Sequence, residues 1–179
     1  MKYNPEIHHR RSYRLQGFDY SNVGLYFITI CTQARKCLFG IIEDGKMILN
    51  DAGIIANECW LKIPEHFPNA VLHEYIVMLN HVHGIIESTK DELTNEPKYN
   101  EFQKIIPRSI GSLIRGYKIG VTKWCRYNPK SVGVQNFEPL QIWQRNYYEH
   151  IICDKQSYQN ICNYIFDNPS KCNNDKLYR

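Results

Sequence analysis

Apolar residues along this chain form short runs that predict strands, with longer stretches of helical spacing between them. Runs rich in β-branched and aromatic residues predict strands at 24–32, 37–43, 46–49, 71–79 and 142–153. Asp44 and Gly45 predict a tight hairpin turn between the second run and the third. Asn80 lies where the chain should turn, and a further strand then starts at His81.

Two helices are predicted in the middle of the chain. The first covers residues 52–63, with Asn50 or Asp51 as its N-cap and Pro64 at its end. The second covers residues 107–127 and has two distinct sides. Its apolar side consists of Ile110, Leu113, Ile114, Tyr117, Val121, Trp124 and Cys125.

A last helix is predicted at residues 155–168, between the N-cap Asp154 and the helix-stopping Pro169. Tyr164 and Asn168 are neighbours on this helix, because residues four apart lie on the same side. They flank an apolar stripe that consists of Tyr158, Ile161, Cys162, Ile165 and Phe166. Taken alone, the helix favours a half-buried tyrosine and a C-capping asparagine over a functional pair.

The order of these elements predicts an α+β fold, with helices packed on an antiparallel sheet in a ferredoxin-like or RRM-like arrangement. The 179 residues suit a single domain spanning 1–179, and a hydrophobic fraction of 43% is enough for a sizeable core. Residues 88–104 are polar and aperiodic, so they predict a mobile surface loop.

Composition indicates a cytoplasmic protein. The seven cysteines are scattered without a CxxC pair, which favours reduced thiols over a disulfide framework or a zinc ribbon. The first residues lack the apolar core of a signal peptide, and the apolar runs are too short to cross a membrane. A net charge of +4 permits an anionic partner. No Walker loop is present, so we expect no nucleotide cofactor.

His81 and His83 are the first candidates for chemistry. Side chains alternate along a strand, so both imidazoles should point to the same face. Two imidazoles on one face can bind a single divalent cation. They can also form a hydrogen-bonded pair at a strand end, which is the more frequent outcome for so short a motif.

Two basic regions are candidates for phosphate contacts. Residues 8–16 include Arg10, Arg11 and Arg14, and they form either a solvated tail or an arm that binds nucleic acid. The helix at 107–127 carries positive charges opposite its apolar side, which favours a nucleic-acid contact over a merely solvated face. These charges belong to Arg108, Arg115, Lys118, Lys123 and Arg126.

Several motifs together resemble the HUH tyrosine transposases, which act on single-stranded DNA. They are His81-Val82-His83, Trp143-Gln144-Arg145, and the end of the last helix from Tyr164 to Asn168-Pro169. The stretches that begin at Arg10 (Arg-Arg-Ser-Tyr-Arg-Leu-Gln-Gly-Phe), Tyr26 (Tyr-Phe-Ile-Thr-Ile-Cys-Thr-Gln) and Gly111 (Gly-Ser-Leu-Ile-Arg-Gly-Tyr-Lys) are similar to the branch of REP-associated tyrosine transposases. The resemblance runs nearly end to end, and it departs at Leu79, where relatives commonly carry proline.

The resemblance implies an HUH fold and metal-dependent cleavage of single-stranded DNA. Mg²⁺ or Mn²⁺ would be bound by His81, His83 and Asn168, with Asp167 as a substitute for Asn168. Tyr164 would attack the scissile phosphate and form a 5′-phosphotyrosine and a free 3′-hydroxyl. The phosphodiester bond energy is stored in this intermediate, so rejoining would need no ATP.

The substrate that the resemblance implies is single-stranded DNA beside a hairpin, as in REP-like sequences, and the process is DNA transposition. The basic regions, together with Arg145, would hold this DNA. The alternative is a domesticated protein that binds hairpin DNA or RNA without cutting it, because a fold does not fix a function. A monomer and a homodimer are both compatible with the sequence.

Overall fold

The structure, a computed structural model, describes residues 23–89, 108–129 and 141–172, which contain six strands, a short 3-10 helix at Gln33–Arg35 and four α-helices. In chain order the strands and α-helices are β1 (Gly24–Cys31), β2 (Gly40–Glu43), β3 (Lys46–Leu49), α1 (Asp51–Leu61), α2 (Ile63–His66), β4 (Ala70–Val77), β5 (His81–Ser88), α3 (Ile110–Tyr127), β6 (Tyr148–Ile152) and α4 (Lys155–Asp167). The basic segment at 8–16 and residues 90–104 of the predicted loop lie outside the described residues.

Four strands form one antiparallel sheet in the order β4–β5–β1–β6, and β2 pairs with β3 in a separate hairpin. Apart from this hairpin, the short α2 and the closing α4, the elements follow the order β1–α1–β4–β5–α3–β6. This is the βαββαβ order of ferredoxin-like folds. The predicted α+β fold, with helices packed on an antiparallel sheet, is therefore confirmed.

The two faces of the sheet are covered differently. On one face, Tyr26, Ile28 and Ile30 of β1 are fully buried in a cluster shared with α1 and α3. On the other face, α4 packs over a smaller apolar cluster around Ile85 and Ile165. We call these the core face and the α4 face.

Gly84 is the point at which β5 and α1 approach each other most closely. It lies on the core face, and a Cβ atom there would be 2.2 Å from Cζ2 of Trp60. Only glycine leaves room for the indole, whose ring also packs edge-on against Tyr117 at a centroid distance of 5.4 Å. The glycine that follows His83 therefore serves packing, while the histidine faces the opposite side.

Local turn and cap chemistry follows the sequence closely. Asp44 and Gly45 have φ angles of 49° and 72°, as the mirror-image turn of a two-residue hairpin requires. Of the two N-cap candidates, Asn50 caps α1, since its side-chain oxygen accepts a hydrogen bond from the Gly53 backbone N–H at 2.9 Å.

Two predicted helix boundaries are wrong. Pro64 does not end the first helix, because α1 already ends at Leu61 and Pro64 lies in the first turn of α2, where its missing N–H costs no hydrogen bond. The helix predicted from residue 107 begins at Ile110, with Ser109 as its N-cap. Arg108 therefore precedes α3 instead of lying on its positive side.

The prediction that Phe166 belongs to the buried stripe of the last helix is also wrong. Phe166 is 84% exposed, whereas Cys162 and Ile165 are buried against the sheet. Each residue of a helix is rotated by about 100° from the one before it. The contact between α4 and the sheet is narrow enough for that rotation to carry Phe166 from the sheet to the solvent side.

None of the seven cysteines forms a disulfide, in agreement with the reduced thiols that the sequence predicts. Burial raises the pKa of Cys125 to about 11, so this thiol is protonated at neutral pH. Within the described ranges, none of the helices combines the length and apolar character that crossing a membrane requires.

Candidate active site

The histidine pair lies at the start of β5, on the α4 face of the sheet. His81 and His83 are each 2% exposed, and the centroids of their rings are 4.4 Å apart. Phe27 of β1 stacks on His83 at a centroid distance of 5.3 Å. The two imidazoles are thus brought together in a buried setting, while their role as metal ligands stays a prediction.

Each histidine is oriented through its Nδ1 atom. His81 Nδ1 lies 2.7 Å from Asn80 Oδ1, and the Asn80 amide nitrogen donates to the carbonyl of Arg35. Because an amide oxygen can only accept, His81 Nδ1 donates the proton and the lone pair of the ring is on Nε2. His83 Nδ1 lies 2.8 Å from the hydroxyl of Thr29. Partners of this kind fix the ring orientation of metal-binding histidines.

His83 is held in its neutral form. Burial lowers the pKa of its imidazole well below the ordinary value, and the neighbouring His81 acts in the same direction. A neutral imidazole offers one N–H and one lone pair. In the tautomer whose Nδ1 donates to Thr29, the lone pair is on Nε2, where it can accept a hydrogen bond or bind a cation.

Tyr164 extends from α4 to the same histidine. Its hydroxyl lies 3.2 Å from His83 Nε2, and its ring meets Phe27 edge-on at a centroid distance of 6.1 Å. The residue is 43% exposed, so the ring is held by packing while solvent and solutes can reach it. The predicted nucleophile and one of the predicted metal ligands are therefore in direct contact.

Asn168, the predicted third ligand, is the C-cap of α4, one helical turn beyond Tyr164, and it is 3% exposed. Cys172, four residues further along, packs in a cluster with Leu79, two residues before His81. Asn168 therefore lies in the chain between Tyr164, which contacts His83, and Cys172, which packs near the start of β5.

Asp167, the predicted substitute for Asn168, has a different environment. Its carboxylate lies 2.7 Å from the ammonium group of Lys171, and 41% of its side chain is exposed. An exposed carboxylate that is paired with a lysine is poorly placed to reach buried imidazoles. The structure thus favours Asn168 over Asp167 as the candidate ligand.

A cavity of about 430 Å³ opens beside Tyr164, and we call it the tyrosine cavity. Its phenyl and phenol rings come from Phe27, Tyr147, Tyr148 and Tyr164. Tyr148 pairs with Thr29 in the ladder between β1 and β6, so it lies on the α4 face together with the histidines. Tyr147, its neighbour, packs against the apolar cluster of the core face.

A larger groove of about 960 Å³ runs between α3 and residues 141–149, and we call it the basic groove. It is lined by five of the predicted DNA-binding residues: Arg115, Lys118, Lys123, Arg126 and Arg145. It also shares lining residues with the tyrosine cavity, namely Gln144, Asn146, Tyr147 and Tyr148. The positive surface and Tyr164 are thus connected along one continuous path.

Of the other predicted phosphate contacts, the structure describes only Arg108. Arg108 precedes α3 with a φ angle of 60° and does not line the basic groove, and its carbonyl accepts a hydrogen bond from the Asn69 amide. Arg10, Arg11 and Arg14 lie outside the described residues.

Lys118 differs from the other cations of the basic groove. Its ammonium group donates to the backbone carbonyls of Gln144, Arg145 and Asn146, at 2.8, 3.4 and 3.1 Å. Burial lowers its pKa to about 8. Lys118 therefore ties α3 to the segment 144–146, which is a different use from the phosphate contact that the sequence predicts.

Sequence reasoning missed the residues that surround the histidines and the tyrosine. Thr29 and Phe27 come from β1, and their position beside His83 follows from the register of β1 against β5. The sequence placed Asn80 in a turn but gave no sign that it orients His81. Tyr148 could be put on one face of a strand, but which face depends on its pairing with Thr29.

The donor set fits a divalent cation that accepts nitrogen and oxygen ligands. Two oriented imidazoles lie at one end of β5, and the buried amide of Asn168 is one helical turn beyond Tyr164, which contacts His83. Among the described residues, no group of three or more histidine, cysteine, aspartate or glutamate side chains could hold a metal ion. A cation at this histidine pair would therefore depend on the amide oxygen of Asn168, a ligand type that suits Mg²⁺ or Mn²⁺.

Two proteins of Haemophilus influenzae strain Rd are similar to this chain in sequence. An uncharacterized protein is 44% identical over 183 residues, which cover 99% of this chain and 97% of the relative. A candidate REP-associated tyrosine transposase is 26% identical over 153 residues, which cover 86% of this chain and 74% of the relative. No known protein-family model matches the chain.

Among solved structures, a REP-associated tyrosine transposase bound to a REP hairpin has a similar fold. The TM-score is 0.55 at 21% sequence identity, and the match covers 91% of this chain and 73% of that protein. A candidate transposase from Deinococcus radiodurans matches with a TM-score of 0.42 at 13% identity, over 87% of this chain and 97% of that protein.

Proposed function

We propose that this chain is a member of the REP-associated tyrosine transposases, to which it is similar in sequence and in fold, and that it cleaves and rejoins single-stranded DNA with Tyr164 as the nucleophile. Similarity to these proteins by itself supports a transposase-like function. The observation that carries the finer proposal is the 3.2 Å contact between the Tyr164 hydroxyl and His83 Nε2. This contact joins the candidate nucleophile to the candidate metal site within one chain, so Tyr164 can act on DNA bound at its own histidines.

Hydrogen bonds within the protein orient the two imidazoles of the candidate metal site. When bound, Mg²⁺ or Mn²⁺ would be held by His81, His83 and Asn168 and would polarise the scissile phosphate as a Lewis acid. The imidazoles are suited to this because Asn80 and Thr29 engage the two Nδ1 atoms and leave the Nε2 atoms as the candidate ligand atoms.

The proposed reaction is a displacement at phosphorus by Tyr164. The phenol oxygen forms a bond to phosphorus as the bond from phosphorus to the 3′ oxygen breaks, the phenol proton is released to water, and the 3′ oxygen takes up a proton. The products are a 5′-phosphotyrosine and a free 3′-hydroxyl. Attack by another 3′-hydroxyl reverses these steps, joins the strands and restores the phenol without ATP.

The basic groove supplies a surface for the DNA backbone. Arg115, Lys123 and Arg126 are exposed along one side of α3, and positive side chains of this kind bind phosphates independently of sequence. The solved transposase of similar fold is bound to a REP hairpin. We extend that substrate class to this chain: a DNA hairpin in the basic groove, with its unpaired flank leading to Tyr164.

The proposal can be tested with protein, single-stranded hairpin DNA and Mn²⁺. We expect a protein–DNA band that survives denaturing electrophoresis and does not form in the presence of EDTA. Fully duplex DNA of the same sequence serves as the control and should give no such band. Binding of the hairpin without any covalent band would instead support a protein that binds DNA but does not cut it.

A further inference from the structure

We propose that the tyrosine cavity binds a single unpaired nucleobase next to the phosphate that Tyr164 attacks. Tyr148 would be its stacking surface, and the amides of Gln144 and Asn146 would line its edge. The inference rests on the proposed function, because it places DNA at Tyr164, and it adds the part of the substrate that the site recognises. It is carried by the chemistry of the cavity walls and by their connection to the basic groove.

The walls of the tyrosine cavity suit a planar aromatic ligand. Its volume of about 430 Å³ is within the range of small-ligand sites, about 300–1,000 Å³. Phe27, Tyr148 and Tyr164 present rings to it. Single-stranded nucleic acids are commonly held by stacking of their bases on aromatic side chains, because every base has a π-face.

Tyr148 is the ring best placed to stack on a base. It is 56% exposed, although it lies on the same face of the sheet as the buried histidines. Phe27 already stacks on His83, and Tyr164 contacts the same ring through its hydroxyl. A base that enters the cavity can therefore lie on Tyr148 without disturbing the histidine pair.

The polar part of the wall can read a base edge. Gln144 and Asn146 line the cavity, and each carboxamide has both donors and an acceptor, so it can match the edge of a base. Their backbone is fixed on two sides: the Gln144 N–H donates to the Cys31 carbonyl at 2.9 Å, and Lys118 donates to the carbonyls of Gln144 and Asn146. A wall held in this way is ready for the ligand before it binds.

The path of the DNA strand along the protein indicates which nucleotide of the substrate enters the tyrosine cavity. Gln144, Asn146, Tyr147 and Tyr148 line both the basic groove and the tyrosine cavity. DNA that follows the positive groove must therefore pass this wall before it reaches Tyr164. The base that turns into the cavity is then the one next to the attacked phosphate.

The test combines protein variants with abasic DNA. The probe is selected from a pool of DNA hairpins with randomised unpaired flanks, as the hairpin that binds the protein most tightly in EDTA. An abasic site is then introduced at each flanking position in turn, and the affinity for the protein is measured. At one position we expect the abasic site to weaken binding to the wild-type protein about ten-fold, the effect of losing one stacked base. Tyr148→Ala should weaken binding of the intact probe by the same factor. The affinity of this variant should then be the same for the abasic probe as for the intact probe.

Phe166→Ala is the matched control, because it removes another exposed aromatic ring, on the solvent side of α4, that does not line the tyrosine cavity. It should respond to the abasic site as the wild type does. If Tyr148→Ala and the abasic site together weaken binding about a hundred-fold, their effects are independent and the base does not stack on Tyr148, which would overturn the proposal. So would a scan in which no flanking position responds.

The position of the base and the recognition of its edge are tested separately. With Mn²⁺, the responsive position should adjoin the phosphate that becomes attached to the protein, and a responsive base elsewhere would overturn the assignment. Asn146→Ala or Gln144→Ala should reduce the preference among the four bases at that position, whereas an unchanged preference in both would contradict edge reading. Binding is measured in EDTA, so the stacking test does not depend on cleavage. If the protein never forms an adduct, the proposed function is contradicted, and the binding measurements still decide whether a base stacks on Tyr148.

Discussion

The two faces of the sheet use the same strands for different purposes. On the core face, alternate residues of β1 and β5 are apolar, fully buried and covered by two helices. On the α4 face, the intervening residues include Thr29, His81 and His83, and one helix covers them. Because side chains alternate along a strand, the residues that stabilise the fold lie on one face of the sheet and the residues of the candidate active site lie on the other.

This division has an energetic consequence. Each large apolar side chain buried on the core face contributes about 1.5–3 kcal/mol of hydrophobic free energy, whereas a hydrogen bond on the α4 face contributes about 0.5–1.5 kcal/mol net. Substitutions on the core face should therefore lower the stability of the protein most, and substitutions on the α4 face should remove activity from a protein that remains folded.

The largest effect is expected from the histidine pair. His81→Ala combined with His83→Ala removes both imidazoles of the candidate metal site, so formation of the covalent adduct with hairpin DNA in Mn²⁺ should fall below detection. The protein should still melt cooperatively, because the core face is unchanged. His66→Ala, an exposed histidine at the end of α2, is the control and should react like the wild type. A double variant that reacts at the wild-type rate would contradict the metal site.

The opposite result is expected from Gly84, only one residue away from the pair. In Gly84→Ala the new methyl group would meet Trp60, and such overpacking should cost about 3 kcal/mol of the free energy of unfolding. The melting temperature should drop by about 6–12 °C. Gly24→Ala, whose Cβ would lie 3.6 Å from the nearest atom of Tyr26, should change it little. Equal melting temperatures for the two variants would show that the indole can move aside.

A smaller effect should come from the positive side of α3. Arg115→Ala combined with Arg126→Ala removes two phosphate contacts, so the slope of log affinity for hairpin DNA against log salt concentration should flatten by about one and a half units. Lys46→Ala with Lys62→Ala removes the same charge outside the basic groove and should leave the slope nearly unchanged. Identical slopes for the two double variants would mean that this side of α3 is only solvated.

The smallest effect concerns Lys118, which links α3 to the segment 144–146. Its pKa is about 8 in the folded protein and 10.5 without burial, so between these values the unfolded chain holds more protons and the folded state gains stability as pH rises. Relative to Lys118→Met, the wild type should therefore gain about 2–4 °C in melting temperature between about pH 7 and pH 9.5, after allowance for partial solvent screening. A constant difference would show that the ammonium group is not buried.

Most of the fold could be predicted from the sequence because its signals are local. Alternation, turn residues such as Asp44-Gly45 and the cap Asn50 act on neighbouring residues, and each of these features is present. The exceptions depend on packing. Phe166 continues the apolar stripe of α4 by spacing, but the narrow contact with the sheet leaves it exposed.

The site could be predicted only in part, for the same reason. The shared face of His81 and His83 follows from strand geometry alone. The approach of Tyr164 to His83 joins residues 81 positions apart, and the placement of Thr29 and Tyr148 depends on strand register. Charge patterning found the basic groove but could not show that Lys118 binds three carbonyls within it.

The central claim is that Tyr164 is the nucleophile on the α4 face, and mapping the covalent adduct tests it most directly. After reaction with hairpin DNA in Mn²⁺ and digestion with trypsin, fragmentation mass spectrometry should find the nucleotide on Tyr164 within the peptide spanning Gln156 to Lys171. Tyr164→Phe should lose the adduct and keep DNA binding. Tyr158→Phe, on the same helix and peptide, should keep both, since the Tyr158 hydroxyl donates to Glu74 instead. An adduct on Tyr148 or Tyr158, or one that persists in Tyr164→Phe, would contradict the account.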